Sequence, residues 1–193
     1  MNKFYYQQYE KIKCVADYYG LPLNGHKETI NHMIRCSDLA IEFGRYMKLK
    51  AEEIELLGNC ALLHDIGKLR ICPSILYKHG KLNNYEFNYI RSHIYFEVKI
   101  LDKVMQDCIR FHHERFDGAG YNNLDYGDIH DFVRIVSLID SYDAMTNSRS
   151  YRLNKLDRVF VFNEIRDNIG VQFDMYYGNM FLSMLRDRGD KIV

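Results

Sequence analysis

Two clusters of side chains carry the chemistry legible in this chain: His112-His113-Glu114, followed by Arg115-Phe116-Asp117-Gly118-Ala119-Gly120-Tyr121, and upstream of it His64-Asp65-Ile66-Gly67-Lys68. Adjacent imidazoles suit a core poorly, because each neutral ring needs both a donor and an acceptor partner once buried. A divalent cation gives both rings a partner. Glu28 and His32, four residues apart, a lone His93, and Asp140 within Ser137-Leu138-Ile139-Asp140-Ser141-Tyr142-Asp143-Ala144 add further candidate ligands. A set of imidazoles and carboxylates without thiolate suits iron, manganese, nickel or zinc.

Each candidate has a plainer reading. On a helix, Glu28 and His32 share one face and could reach one ion or two neighbouring ions, but taken alone they read better as a surface pair worth a few tenths of a kcal/mol. The other clusters reverse that preference. His64 and Asp65 follow the apolar run Leu56-Leu57-Gly58-Asn59-Cys60-Ala61-Leu62-Leu63, so they fall at the inner end of a buried helix, where an unpaired carboxylate is costly. Gly67 then permits a turn and Lys68 returns a cation to the site. His93 by itself is an ordinary histidine and gains weight only from its company. Asp140 and Asp143 lie three apart among apolar neighbours, so at least one faces inward; Asp140 is taken as the ligand and Asp143 as its support or a cap. Arg149 and Arg152 flank Ser150-Tyr151, where two guanidinium forks could clamp phosphate oxygens or merely belong to a solvated loop. His26, His79 and His130 fall at turns without partners and read as surface histidines.

The elements that must position these residues are helical. Two prolines interrupt the chain, Pro22 and Pro73, and apolar residues recur at three and four more often than at two. Tyr5, Tyr9, Ile12, Ala16 and Tyr19 form a stripe on a first helix, for packing or for dimer contact, closed by Gly20 and Pro22. Further helices are expected over about 27–47, 51–63, 85–104, 131–146, 156–169 and 175–186, with short helical pieces carrying the His pair. No repeat, linker or low-complexity segment is present.

At 193 residues the chain reads as one domain spanning 1–193, with an additional helix in its first 25 residues. Lys plus Arg, 26, equals Asp plus Glu, 26, so no global field draws a nucleic-acid polymer or an acidic membrane. Without an apolar leader or a spanning segment, the expected location is the cytoplasm. Cys14, Cys36, Cys60, Cys72 and Cys108 are odd in number and scattered. They read as reduced, mostly buried small residues rather than a disulfide framework or a thiolate zinc site.

Taken together, Glu28-Thr29-Ile30-Asn31-His32, His64-Asp65-Ile66-Gly67-Lys68, His93, His112-His113-Glu114 with Asp117-Gly118-Ala119-Gly120-Tyr121, Asp140-Ser141-Tyr142-Asp143-Ala144 through Arg149-Ser150-Tyr151-Arg152, and Gly170-Val171-Gln172-Phe173-Asp174 resemble the HD-GYP branch of the HD phosphohydrolase superfamily. The resemblance runs from about Glu28 to Asp174, and the order and spacing of the motifs make it specific. It implies an all-α, compact HD-type domain of seven or eight helices around a site of two or three divalent metals, iron or manganese favoured. It also implies hydrolysis of a cyclic dinucleotide, chiefly cyclic di-GMP. By resemblance His32, His64, Asp65, His93, His112, His113 and Asp140 are ligands, with Asp65 bridging two ions and Glu28 accompanying a third. Lys68, Arg149 and Arg152 match residues that contact substrate phosphate, and Tyr121 belongs to the loop that shapes substrate access. GGDEF-domain proteins are among the partners the family implies.

The chain departs from the family in that loop. Asn122 replaces the proline of the Gly-Tyr-Pro signature, the loop from Tyr121 to Ile129 is one residue short, and Ser150 and His79 stand where proline is common. The expected chemistry is in-line attack on phosphorus by a hydroxide bridging two ions, with Lys68, Arg149 and Arg152 neutralising the phosphoryl oxygens. The same ligands could serve a nucleotidase or another phosphohydrolase. The altered loop is the main argument for a different class, a catalytically silent cyclic-dinucleotide-binding signalling module.

Overall fold

The computed structural model describes residues 3–147 and 156–189; Arg149, Ser150, Tyr151 and Arg152 lie outside the described residues. Among the described residues nine α-helices follow one another: α1 (Lys3–Tyr19), α2 (Lys27–Tyr46), α3 (Ala51–Leu63), α4 (Pro73–Leu76), α5 (Asn84–Arg91), α6 (Lys103–Phe111), α7 (Asp131–Thr146), α8 (Arg158–Asp167) and α9 (Met175–Asp187). Short 3-10 turns occupy Ile66–Arg70, Ser92–Tyr95 and Tyr126–Asp128. Among the described residues there is no strand, only an isolated bridge between Ile169 and Phe173, so the all-α expectation holds.

The helix count exceeds the expected seven or eight for a physical reason. Of the helix expected over 85–104, α5 ends at Arg91, the 3-10 turn Ser92–Tyr95 and an irregular stretch follow, and α6 begins only at Lys103. Asn83 and Glu86 cap the start of α5 reciprocally, Glu86 N–H donating to Asn83 Oδ1 at 2.9 Å and Asn83 N–H to Glu86 Oε2 at 2.9 Å. Asp102 Oδ1 accepts from Met105 N–H at 3.0 Å and opens α6 afresh. Side-chain caps of this kind favour a new helix start over an uninterrupted run.

Helices α2 and α3 lie at the centre and contribute to both apolar clusters of the interior. In one, Ile12, Val15 and Ala16 of α1 pack with Ile30, Met33 and Ile34 of α2 and Leu62 and Leu63 of α3. The stripe on α1 therefore serves packing within the chain, where Ile12 and Ala16 are fully buried. A fully buried isoleucine contributes roughly 1.5–3 kcal/mol. In the other cluster, α2, α3, α7, α8 and α9 close around Phe43 and Phe181, whose rings meet edge to face at 5.2 Å.

Cys36, Cys60 and Cys108 are buried, whereas Cys14 and Cys72 are exposed. His26 corrects an expectation: it is buried at the N-cap of α2, with Nδ1 3.5 Å from the Tyr77 hydroxyl. His79 is exposed, and His130 caps α7 by accepting Phe132 N–H at Nδ1. No helix among the described residues is long and apolar enough to cross a membrane.

Candidate metal centre

Every ligand candidate except Glu28 converges on one point, and most come from helix ends. His32 projects from the second turn of α2, His64 closes α3 and Asp65 follows it. His93 sits in the 3-10 turn after α5, His112 closes α6 with His113 next, and Asp140 lies on α7. Gly67 lets two of these segments touch: a Cβ there would stand 2.2 Å from the His93 carbonyl oxygen. The glycine answers a close approach of backbone to backbone, and its φ is not in the left-handed region.

The imidazoles are oriented by a common device. Nδ1 of His64 lies 2.7 Å from the Ala61 carbonyl, Nδ1 of His93 2.7 Å from that of Ile90, and Nδ1 of His112 2.9 Å from that of Cys108. Nδ1 of His32 lies 2.7 Å from Asp143 Oδ2. A carbonyl or an ionised carboxylate only accepts, so in each ring Nδ1 carries the proton. In His64, His93 and His112 the Nε2 lone pair is thereby turned inward, the arrangement typical of metal-ligating histidines. The Nε2 atoms of His93 and His112 face each other at 3.4 Å, and two lone pairs at that distance have no reason to meet unless something electropositive lies between them.

The ligand atoms fall into two groups of four, His32, Cys36, His64 and Asp140, and Asp65, His93, His112 and His113, each within a span suited to one ion. Asp65 faces both. Its Oδ2 lies 3.6 Å from His32 Nε2 and 3.5 Å from His64 Nε2, while its Oδ1 lies 3.3 Å from His93 Nε2 and 3.5 Å from His112 Nε2. Asp140 Oδ1 is 3.0 Å from His32 Nε2. Asp65 Oδ1 and His64 Nε2 are buried and make no hydrogen bond, a costly state for polar atoms that a cation between them would relieve. This donor set, rich in imidazole and carboxylate at its centre, fits divalent transition metals.

The charge states fit as well. Burial presses the His64 imidazole down to about 3 and lowers His93, and burial with the neighbouring His112 holds His113 well below the usual histidine range. These rings are neutral donors at physiological pH. Burial alone would raise Asp65 and Asp140, yet both sit well below the usual carboxylate range, Asp65 chiefly because of Lys68 and Asp140 because of its bond to His32. His32 differs. Burial opposes its charge, but Cys36 and the bonds to Asp140 and Asp143 lift its pKa well above 6.5. The carboxylates are the charges that matter there, since burial pushes the Cys36 thiol up to about 11. A metal ligand must give up its proton, so an ion at His32 displaces one.

Lys68 Nζ donates to Asp65 Oδ2 at 2.6 Å, a cation held directly against the cluster. Glu28 stands outside both groups and instead lines a neighbouring cavity with Lys68. The ring of Tyr121 packs on that of His113 at 4.6 Å, and the Arg91 guanidinium lies over the same Tyr121 ring at 4.5 Å while donating to the Tyr121 carbonyl. Glu114 is buried and anchors the loop, Asn122 N–H and Nδ2 donating to its Oε1 and Leu124 N–H to its Oε2. A Cβ on Gly120 would stand 2.5 Å from Glu114 Cα. From the far end of the chain, the carbonyls of Gln172 and Val171 accept the N–H groups of Phe116 and Asp117.

Arg35 and Cys36 escaped the sequence reading. Arg35 Nε donates to Asp143 Oδ1 and its Nη2 to Asp143 Oδ2, both at 2.7 Å, holding the carboxylate that orients His32. The available signal was spacing, since both residues lie one helical turn beyond His32.

Comparison with known proteins gives a consistent picture. The HD domain family model matches residues 29–145. A 3'3'-cGAMP-specific phosphodiesterase of Vibrio cholerae is 31% identical over 86% of this chain and 33% of its own length. A cyclic di-GMP phosphodiesterase of Thermotoga maritima is 28% identical over 97% of this chain and 51% of its own length. The chain thus spans about a third to a half of these relatives. Among solved structures, an HDG"Y"P protein of Bdellovibrio bacteriovorus shares the fold, with a TM-score of 0.65 at 17% identity over 81% of this chain and 52% of that one.

Proposed function

The chain belongs to the HD domain family, and on that premise we propose that it is a metal-dependent phosphodiesterase that hydrolyses a cyclic dinucleotide, with cyclic di-GMP as the first substrate to test. The observation that carries this reading is the Asp65 carboxylate, one oxygen of which faces each group of ligands. A carboxylate so placed can serve two ions at once, the arrangement that two-metal in-line displacement at a phosphodiester uses. In the proposed assignment His32, His64 and Asp140 would hold one ion, His93, His112 and His113 the other, and Asp65 would serve both. Iron or manganese is the favoured metal. The bound ions would supply Lewis acidity and a water acidified enough to attack phosphorus at neutral pH.

The chain's own residues do the rest. Asp143 and the helix-end carbonyls hold the Nδ1 protons, so that Nε2 faces the reacting centre. Lys68, 15% exposed, reaches from the cluster toward solvent and would neutralise phosphoryl oxygen charge as it builds. Tyr121, fixed between His113 and Arg91, would close one side of the substrate site. Arg149 and Arg152 retain the phosphate-clamp assignment on the resemblance alone. Glu28 is the candidate for a third ion, shared with His32 one turn away.

Anaerobic purification, metal analysis and product analysis with cyclic di-GMP, 3'3'-cGAMP and mononucleotides test the proposal. Conversion of a cyclic dinucleotide to linear dinucleotide or GMP is expected. Cleavage of mononucleotides alone would make the protein a nucleotidase, and tight binding without turnover would make it a sensor.

A further inference from the structure

A cavity of about 500 Å3 opens beside the cluster, with Lys68 common to both. That volume is ordinary for a small-molecule site. Leu76, Tyr77, Leu82 and Ile90 give it an apolar wall, while Glu28 and Lys68 line its cluster side. Lys78 also lines it, its ammonium donating to both oxygens of Glu86 at 2.7 Å, whereas that of Lys68 donates to Asp65 Oδ2 at 2.6 Å within the cluster itself. The cavity is therefore amphipathic, with a cation against the reacting centre and an aromatic and aliphatic surface beyond it.

Tyr77 has the features of a fixed platform. Its hydroxyl is tied to Thr29 Oγ1 at 2.8 Å and lies 3.5 Å from His26 Nδ1, both at the start of α2. Held at its polar end, the half-buried ring keeps its place on the wall of the cavity. A flat apolar surface joined to a phosphate-binding cation is the chemistry that receives a nucleotide, base on the ring and phosphate on the ammonium.

We propose that this cavity seats one nucleoside of the substrate, its base stacked on Tyr77 and flanked by Leu82 and Ile90, while Lys68 holds the adjoining phosphate. The inference rests on the cyclic-dinucleotide reading above and adds to it a base-binding subsite that no metal ligand forms. It makes α4 and the segment leading into α5 part of the substrate site.

The test is equilibrium binding of a hydrolysis-resistant phosphorothioate analogue of cyclic di-GMP to the zinc-loaded full chain, in parallel with turnover of cyclic di-GMP by the metal-replete protein. Tyr77→Ala should weaken binding by about tenfold or more, as removal of a base-stacking ring does, and should raise KM far more than it lowers kcat, with metal content unchanged. Tyr77→Phe, which keeps the ring, should bind close to the parent protein. Should Tyr77→Ala fail to fold, saturation-transfer NMR on the unmodified protein decides: saturation must pass from aromatic protein protons to the base H8. Parent-like binding by Tyr77→Ala, or no transfer to the base, overturns the subsite and leaves the phosphodiesterase reading intact. Tyr77-dependent binding without any turnover overturns that reading and leaves the subsite. Neither binding nor turnover overturns both.

Discussion

Asn122 grips Glu114 twice: its backbone N–H and its side-chain amide both donate to Oε1, at 2.7 and 2.9 Å. The residue that departs from the family's Gly-Tyr-Pro signature is thus the main support of a carboxylate 5% exposed, and the loop it anchors carries Tyr121 against His113.

Proline at this position has no N–H and no side-chain donor. Asn122→Pro should therefore destabilise the protein by roughly 2–4 kcal/mol, since a buried charge loses two hydrogen bonds. Asn122→Ala, which keeps the backbone donor, should cost about half as much. Urea unfolding of the metal-free proteins measures both, and a Pro variant as stable as the parent would refute the anchoring role.

Asp143→Asn and Arg35→Ala should weaken metal binding at the His32 group by about 10–100-fold, the usual cost of losing the partner that orients a ligating histidine. Chelator competition followed by metal analysis should show one equivalent leaving early in both variants, while the ion at His93, His112 and His113 is retained. Loss of both equivalents together would mean that the two groups do not bind separately.

Gly67→Ala drives a methyl group toward a backbone oxygen that a Cβ already meets at 2.2 Å. The turn carrying Asp65 and Lys68 must then separate from the turn carrying His93. Destabilisation of about 1–3 kcal/mol or more is expected for such overpacking, together with reduced metal content; a thermal melt and elemental analysis check the two effects.

Cys36 lies within reach of the His32 group, but its thiol, pushed up to about 11 by burial, is a poor donor beside neutral imidazole and ionised carboxylate. Cys36→Val should keep the full metal complement. Loss of one equivalent would make Cys36 a ligand.

The adjacent pairs His64-Asp65 and His112-His113 could be read directly, because neighbouring ligands at the end of an apolar run have few other uses. Helices α2, α3 and α7 were legible for a related reason: their apolar periodicity is local and strong. What was hidden depends on distant parts of the chain. Arg35 gains its role only from Asp143, 108 residues away. The break between α5 and α6 is tied to the turn that brings the His93 carbonyl against Gly67, a contact that local helix preference does not encode. Glu28, one turn from His32, lines the adjoining cavity and lies outside both groups of four, a placement that spacing along one helix does not decide.

The central claim is that one carboxylate serves two metal ions, and Asp65→Ala tests it most directly. Elemental analysis of anaerobically purified protein should find at least two transition-metal ions per parent chain, with substantial loss from both groups in the variant and cyclic di-GMP turnover abolished. An Asp65→Ala protein that keeps its full metal content and its turnover would contradict the account.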